Sequence, residues 1–173
     1  VDKFEGEGRV ESVVLDDGER IETDFVVVGI GVVPATDFLD DDLNSDGSLS
    51  VDSHLEFRDK VYAAGDVASF LHWSTGEKTR IEHWRLAQQH GRVAGKNMAG
   101  GNVEFSSVPF FWTRQFETSL QYVGHASEWN EVIFDGDPEE RSFVAYYEND
   151  GEILAAAGFR NPSKMVAIAE LME

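Results

Sequence analysis

From Phe25 to Val33 the chain reads FVVVGIGVV, apolar wherever it is not glycine. A strand with one solvated face alternates apolar and polar residues, whereas consecutive apolar positions mark a strand covered on both faces, so this run predicts an α/β layer. It is far shorter than the ~20 residues of a membrane-crossing helix, and no charged-then-apolar leader opens the chain, so neither membrane insertion nor export is expected. A hairpin is predicted from Val10 to Val28, with Val13, Val14 and Leu15 leading into the turn Asp16-Asp17-Gly18 and Ile21 leading back to the apolar run. After the loop Gly29 to Pro34 come Ser48-Leu49-Ser50-Val51 and a second buried strand, Val61-Tyr62-Ala63-Ala64, closing on Gly65-Asp66 and followed by a polar loop. A helix is predicted from Glu82 to Ala99, with Ala87, Gly91, Ala94, Gly95 and Met98 forming a side of small residues and Gly100-Gly101 as its stop.

Beyond Asn102 the texture becomes aromatic and alternating. Strands are predicted at Val108 to Trp112, Leu120 to Val123, Val132 to Phe134, Phe143 to Tyr147 and Ile153 to Ala157, separated by turns at Asp135-Gly136-Asp137-Pro138 and Asn149-Asp150-Gly151. A closing helix is predicted from Pro162 to Glu173, with proline in its first turn and Met165, Ile168, Ala169 and Met172 near helical spacing.

The 173 residues, 42% of them hydrophobic, suffice for a real core. With no cysteine there is no disulfide, thiolate metal site or dithiol relay, so redox chemistry here requires a bound organic carrier. A formal charge of -19 repels phosphate backbones and argues against nucleic acid. The run Asp40-Asp41-Asp42 reads as a solvated acidic face, with adaptation to high salt as the other reading. No metal site or catalytic side chain is assigned, and a cytoplasmic location is expected.

Gly65-Asp66 follows a buried strand, at the sheet end where open α/β folds bind ligands. Glycine allows close approach to the backbone, and a carboxylate accepts hydrogen bonds from sugar or ribityl hydroxyls, although most Gly-Asp pairs are ordinary turns. The order of Tyr62-Ala63-Ala64-Gly65-Asp66-Val67-Ala68, then Ile81-Glu82-His83-Trp84 opening a helix, resembles the second FAD fingerprint of the flavin-dependent pyridine-nucleotide oxidoreductases. Val28 to Pro34 is similar to their crossover from NAD domain to FAD domain. Val108-Pro109-Phe110-Phe111-Trp112-Thr113 and Leu120-Gln121-Tyr122-Val123-Gly124 resemble the extra C-terminal domain of the ferredoxin-reductase and apoptosis-inducing-factor branch.

The resemblance implies a partial two-dinucleotide-binding flavoprotein fold of the α/β class, followed by a small α+β antiparallel-sheet domain. Residues 1–29 are expected to end an NAD(P)-binding domain, 30–102 to form the C-terminal part of an FAD-binding domain, and 103–173 a reductase or interface domain. It makes Asp66 the ribityl ligand beside Gly65 and the Val67 backbone, and puts Glu82, His83 and Trp84 at the flavin end of the helix. It implies that Trp112 shields the isoalloxazine and Gly31 approaches bound NAD(P)H. Each has a plainer alternative: a satisfied histidine, a packed aromatic, a glycine serving only its turn. Gln121 departs from relatives that carry an acidic group near the nicotinamide.

No Gly-x-Gly-x-x-Gly loop follows any strand, although the fold needs one for each dinucleotide. The sequence therefore reads as the C-terminal portion of an FAD-dependent NAD(P)H oxidoreductase, delivering electrons to a ferredoxin-type protein, a quinone or oxygen. Alone, it is expected to bind FAD poorly, to be inactive and to self-associate. The alternative function is a non-catalytic dimerisation or partner-binding module.

Overall fold

The computed structural model describes residues 1–39 and 43–173, so the expected acidic run at 40–42 lies outside the described residues. The chain divides into two compact units, Val1–Val33 and Pro34–Glu173. The first is an antiparallel three-stranded sheet, β1 (Lys3–Glu5), β2 (Ser12–Val14) and β3 (Arg20–Glu22), in sequential order. The expected turn joins β2 to β3, closed by Gly18 N–H donating to Leu15 C=O and fixed by Glu19 N–H on the Asp17 carboxylate, both at 3.0 Å.

The apolar run departs from expectation. Phe25 to Val33 forms no strand, and Val27 and Ile30 are 84% and 90% exposed. A strand apolar on both faces needs ladder partners and two covering layers, and the described residues supply neither.

The second unit begins with β4 (Leu49–Ser50), β5 (Glu56–Arg58), β6 (Val61–Tyr62), β7 (Ala68–Leu71), β8 (Lys78–Thr79) and α1 (Trp84–Met98). β7 pairs parallel with β4 and antiparallel with β8, while β5 and β6 form a separate hairpin. The strand expected at 61–64 contracts to two residues: its ladder with β5 goes no further than Ala63 N–H donating to Leu55 C=O, where Leu55 at φ +63° leaves the extended conformation. Asp66 leads not into a polar loop but into buried β7. Leu49, Val51, Leu55, Ala63, Phe70, Leu86, Ala94 and Phe105 close the core here.

α1 starts later than expected: Glu82 precedes it and His83 is its cap. Its buried stripe is Leu86, His90, Ala94 and Asn97, at helical spacing, whereas Gly91, Gly95 and Met98 face outward. Asn97 fixes the exit from α1, donating to the carbonyls of His54 and Val103 and accepting from Val103 N–H.

The remainder is β9 (Phe110–Gln115), β10 (Thr118–Gly124), β11 (Glu131–Asp137), β12 (Ser142–Asn149), β13 (Glu152–Phe159) and α2 (Pro162–Met172). The strands form one antiparallel sheet ordered β11-β12-β13-β10-β9, and the five expected segments fall on these five strands in order. α2 forms where a closing helix was expected and lies on β10 and β13, sealing Val123, Val144 and Ala156 under fully buried Met165. The approach is close enough that Gly158, on β13, has no room for a Cβ against Met165.

Candidate functional site

Gly65 to Ala68 form a turn closed by Ala68 N–H donating to Gly65 C=O at 2.9 Å. Gly65 adopts φ +82°, in the left-handed region, and a Cβ there would stand 3.1 Å from the Ala87 Cβ on α1. Its N–H donates to Nδ1 of buried His90 at 3.2 Å. Asp66 C=O accepts from Arg80 at 3.1 Å, and Val67 C=O accepts from Leu49 N–H at 2.8 Å. With its backbone held at successive residues, the turn carries the Asp66 carboxylate outward, exposed and without a hydrogen-bond donor among the described residues.

Arg80 ties this turn to the start of α1, since its guanidinium also meets Asp46 at 2.8 Å and Glu82 at 2.6 Å. These contacts raise the Arg80 pKa, Glu82 contributing most. Asp46 is pulled down to about 2, first by the Ser48 hydroxyl and N–H and then by Arg80. Glu82 is thus engaged by arginine.

At the start of α1, His83 Nδ1 accepts from Arg85 N–H at 3.3 Å. Burial and then Arg85 lower its pKa, against an opposing pull from the nearby Asp66 carboxylate. A neutral cap leaves the positive end of the helix dipole uncancelled and adds no like charge to it. Around it stands an aromatic wall: ring centroids separate His83 from Trp84 by 5.8 Å, from Phe111 by 5.7 Å and from Trp112 by 5.9 Å. Trp84 and Trp112 meet edge to face at 5.4 Å and remain 56% and 41% exposed. Arg85 caps the Phe110 ring at 4.8 Å, and Phe111 stacks on Tyr122 at 5.2 Å. β9 thus presents Trp112 to the helix start, opposite Gln121 on β10.

Of the residues expected at a site, the structure brings together Gly65, Asp66, Glu82, His83, Trp84 and Trp112. Val67 contributes backbone, its side chain packing on the core. Gly31 belongs to the first unit, with φ +93° and open space where a Cβ would stand. Sequence reasoning missed His90 and the bridging role of Arg80. The spacing of Leu86, His90, Ala94 and Asn97 carries the signal for His90, a polar residue on a buried helical stripe.

A cavity of about 220 Å³ lies between the end of β7 and the start of β13, lined by His72, Trp73, His125 and Glu152 among others. His72 is buried with neither ring nitrogen hydrogen-bonded among the described residues, 5.9 Å from the His125 ring, and burial lowers the pKa of both. Among the described residues no cluster of three or more His, Asp or Glu is arranged to hold a metal, and no helix is long and apolar enough to cross a membrane.

The second unit thus sets a glycine turn and an aromatic wall at a helix start and appends a five-stranded antiparallel sheet, and comparison with known proteins gives this arrangement a family. Residues 1–91 match the pyridine nucleotide-disulphide oxidoreductase model and residues 110–173 the reductase C-terminal model. The chain belongs to the pyridine nucleotide-disulphide oxidoreductase family. It is 39% identical over 171 residues to human (Homo sapiens) apoptosis-inducing factor 3, covering 96% of this chain and 28% of that protein. It is 35% identical over 150 residues to the ferredoxin reductase subunit of 5,5'-dehydrodivanillate O-demethylase from Sphingobium sp., covering 85% of this chain and 36% of that one. Among solved structures, the ferredoxin reductase for the CYP199A2 system of Rhodopseudomonas palustris superposes with a TM-score of 0.84 at 30% identity, covering 95% of this chain and 41% of that one. The chain therefore spans well under half the length of these relatives.

Proposed function

We propose that this chain supplies the ribityl-binding and ring-shielding part of an FAD site in an NAD(P)H oxidoreductase that feeds electrons to a redox acceptor. The observation that carries the reading is the Asp66 carboxylate, held outward on a rigid turn beside the aromatic wall at the start of α1. The residues fit the cofactor. Glycine at position 65 lets the turn close against Ala87 of α1, the free carboxylate matches ribityl hydroxyls, and half-exposed Trp84 and Trp112 offer flat apolar cover for a ring. Held by these residues, FAD would supply the capacity to take up hydride from NAD(P)H and pass electrons on to the acceptor.

The protein's own contributions are positional and electrostatic. Asp66 accepts the hydroxyl hydrogen bonds, and Arg80 keeps its turn joined to Glu82. The start of α1, capped by neutral His83, favours negative charge on a ring placed before it. Trp84 and Trp112 exclude water. Gly31 is assigned to the approach of NAD(P)H. The domain division is part of the same proposal: 1–29 NAD(P)-binding, 30–102 FAD-binding, 103–173 reductase or interface.

A ferredoxin-type acceptor has the first claim, because ferredoxin reductases recur among the relatives, including the ferredoxin–NAD(+) reductase component of the Burkholderia cepacia anthranilate dioxygenase system. The net charge of -19 requires a local basic patch for an acidic partner. Of the candidates Arg80, Arg85, Arg92 and Arg114, Arg80 is neutralised by Asp46 and Glu82, Arg92 is exposed on α1, and Arg85 over Phe110 and Arg114 on β9 flank Trp112. The test is to purify the full-length protein and measure bound flavin, its bleaching by NADH or NADPH, and electron transfer to ferredoxin, quinone and oxygen. A protein that neither carries nor takes up FAD sinks the reading.

A further inference from the structure

We infer that His90 is a positioning residue for the flavin, its Nδ1 holding the Gly65 N–H and thereby setting the turn that presents Asp66. This rests on the flavin reading above. His90 is fully buried inside an apolar cluster, its ring perpendicular to Phe70 at 4.8 Å and to Phe105 at 4.4 Å. A polar ring in such surroundings is unfavourable unless it is hydrogen-bonded, and an aliphatic side chain would serve packing better. The one hydrogen bond it makes among the described residues accepts from Gly65 N–H. Nε2 has no partner. The acceptor at Nδ1 fixes the tautomer, placing the ring proton on Nε2.

The geometry gives that bond its leverage. Gly65 rests on α1 at Ala87, where a Cβ would fall 3.1 Å from the alanine methyl, and His90 stands one helical turn further along the same helix. Sterics at Ala87 and the hydrogen bond at His90 therefore grip one residue from two successive turns of α1. The same helix carries His83 and Trp84 at its start, so a single rigid element sets both the ribityl-side turn and the ring-side wall. Burial lowers the pKa of His90 to about 4, which keeps the acceptor available at neutral pH.

The experiment uses the full-length flavoprotein with His90→Leu, His90→Gln and Asp66→Ala, each stripped of flavin and titrated with FAD while its fluorescence is followed. Loss of the acceptor leaves Gly65 N–H buried and unpaired, and His90→Leu is expected to weaken FAD binding ~10-fold or more while the melting temperature of the apoprotein moves by only a few degrees. His90→Gln restores an acceptor oxygen and is expected to bind within about threefold of the parent, a difference under 1 kcal/mol. Parental affinity in His90→Leu overturns the proposal, and so does His90→Gln binding as weakly as His90→Leu, which would make the site one of packing alone. If His90→Leu does not fold, imidazole ¹⁵N spectra of the parent decide: an unprotonated Nδ1 supports the assignment and a protonated one overturns it. Asp66→Ala separates the two levels. If it binds FAD normally the flavin reading itself fails, whereas if it alone loses FAD only the role of His90 fails.

Discussion

The proposed flavin site turns on Asp66, because its backbone is fixed at neighbouring residues while its carboxylate is exposed and without a donor among the described residues. Hydrogen bonds from hydroxyls to a charged acceptor contribute roughly 1.5–3 kcal/mol, so Asp66→Ala in the full-length protein should weaken FAD binding ~10- to 100-fold, read as flavin content after gel filtration and as a dissociation constant. Trp112 tests the ring side. It is half-exposed against His83 and Trp84, so Trp112→Ala should change flavin fluorescence and electron delivery while costing little stability. A large fall in melting temperature with normal flavin spectra would return Trp112 to a packing role. His90 links the site to stability. Its folded pKa, about 4, lies below its ordinary 6.5, so the unfolded chain binds the proton first as pH falls. The stability this contributes is complete above pH 6.5 and is lost on descending to pH 4, about 3 kcal/mol in all. His72, His83 and His125 are shifted in the same direction by burial, and the Asp46 contribution is lost only below them, as pH falls from 3.8 towards 2. Denaturant titrations at intervals from pH 7 to pH 4 should show this decline, and His90→Leu should flatten it.

At the scale of elements, the two halves of the chain were not equally legible. The β9 to β13 sheet was readable because its strands are rich in aromatic and β-branched residues and the turns before β12 and β13 carry Asn, Asp and Gly. Gly65-Asp66, the start of α1 and Trp112 were likewise visible, as ordered motifs. Phe25 to Val33 was misread because a strand covered on both faces is defined by neighbours rather than by its own pattern. The buried side of α1 was misplaced for a related reason: small residues were taken as the packing side, whereas the Leu86, His90, Ala94 and Asn97 stripe is buried. Small size belongs instead where α2 crosses β13. Gly158 adopts an ordinary strand conformation there, so the need for glycine is one of space under Met165. Gly158→Ala should push Met165 from the seam and lower stability by about 1–3 kcal/mol, as overpacking does, measured by chemical denaturation. In a Met165→Ala background, itself destabilised by the cavity it leaves, Gly158→Ala should cost less than it does in the parent, because the space that the new methyl invades is vacated. If Gly158→Ala is neutral, α2 rides on the sheet more loosely than this packing implies.

For the molecule as a whole, charge and exposed apolar surface oppose each other. The net charge of -19 keeps copies apart at low ionic strength, where charges interact over ~30 Å at 0.01 M salt but only ~3 Å at 1 M. Against this, the first unit exposes Phe25, Val27, Val28, Ile30, Val32 and Val33 in one continuous stretch, and α1 turns Gly91, Gly95 and Met98 to solvent. Contiguous apolar surface of this kind draws a partner once repulsion is screened. Residues 1–173 alone should therefore self-associate, and light scattering should show the mass rising with salt and as pH approaches the pI near 4.4. Replacing Val27, Ile30 and Val33 with serine should lower that mass without loss of the β9 to β13 sheet, since those side chains are already in solvent. The same preparation tests the cofactor. Its sequence has no Gly-x-Gly-x-x-Gly loop to hold a pyrophosphate, so Asp66 and the start of α1 engage only the middle and ring of FAD, and binding should be weak with no NAD(P)H oxidation. Submicromolar FAD affinity in a salt-insensitive monomer would contradict both halves of this expectation.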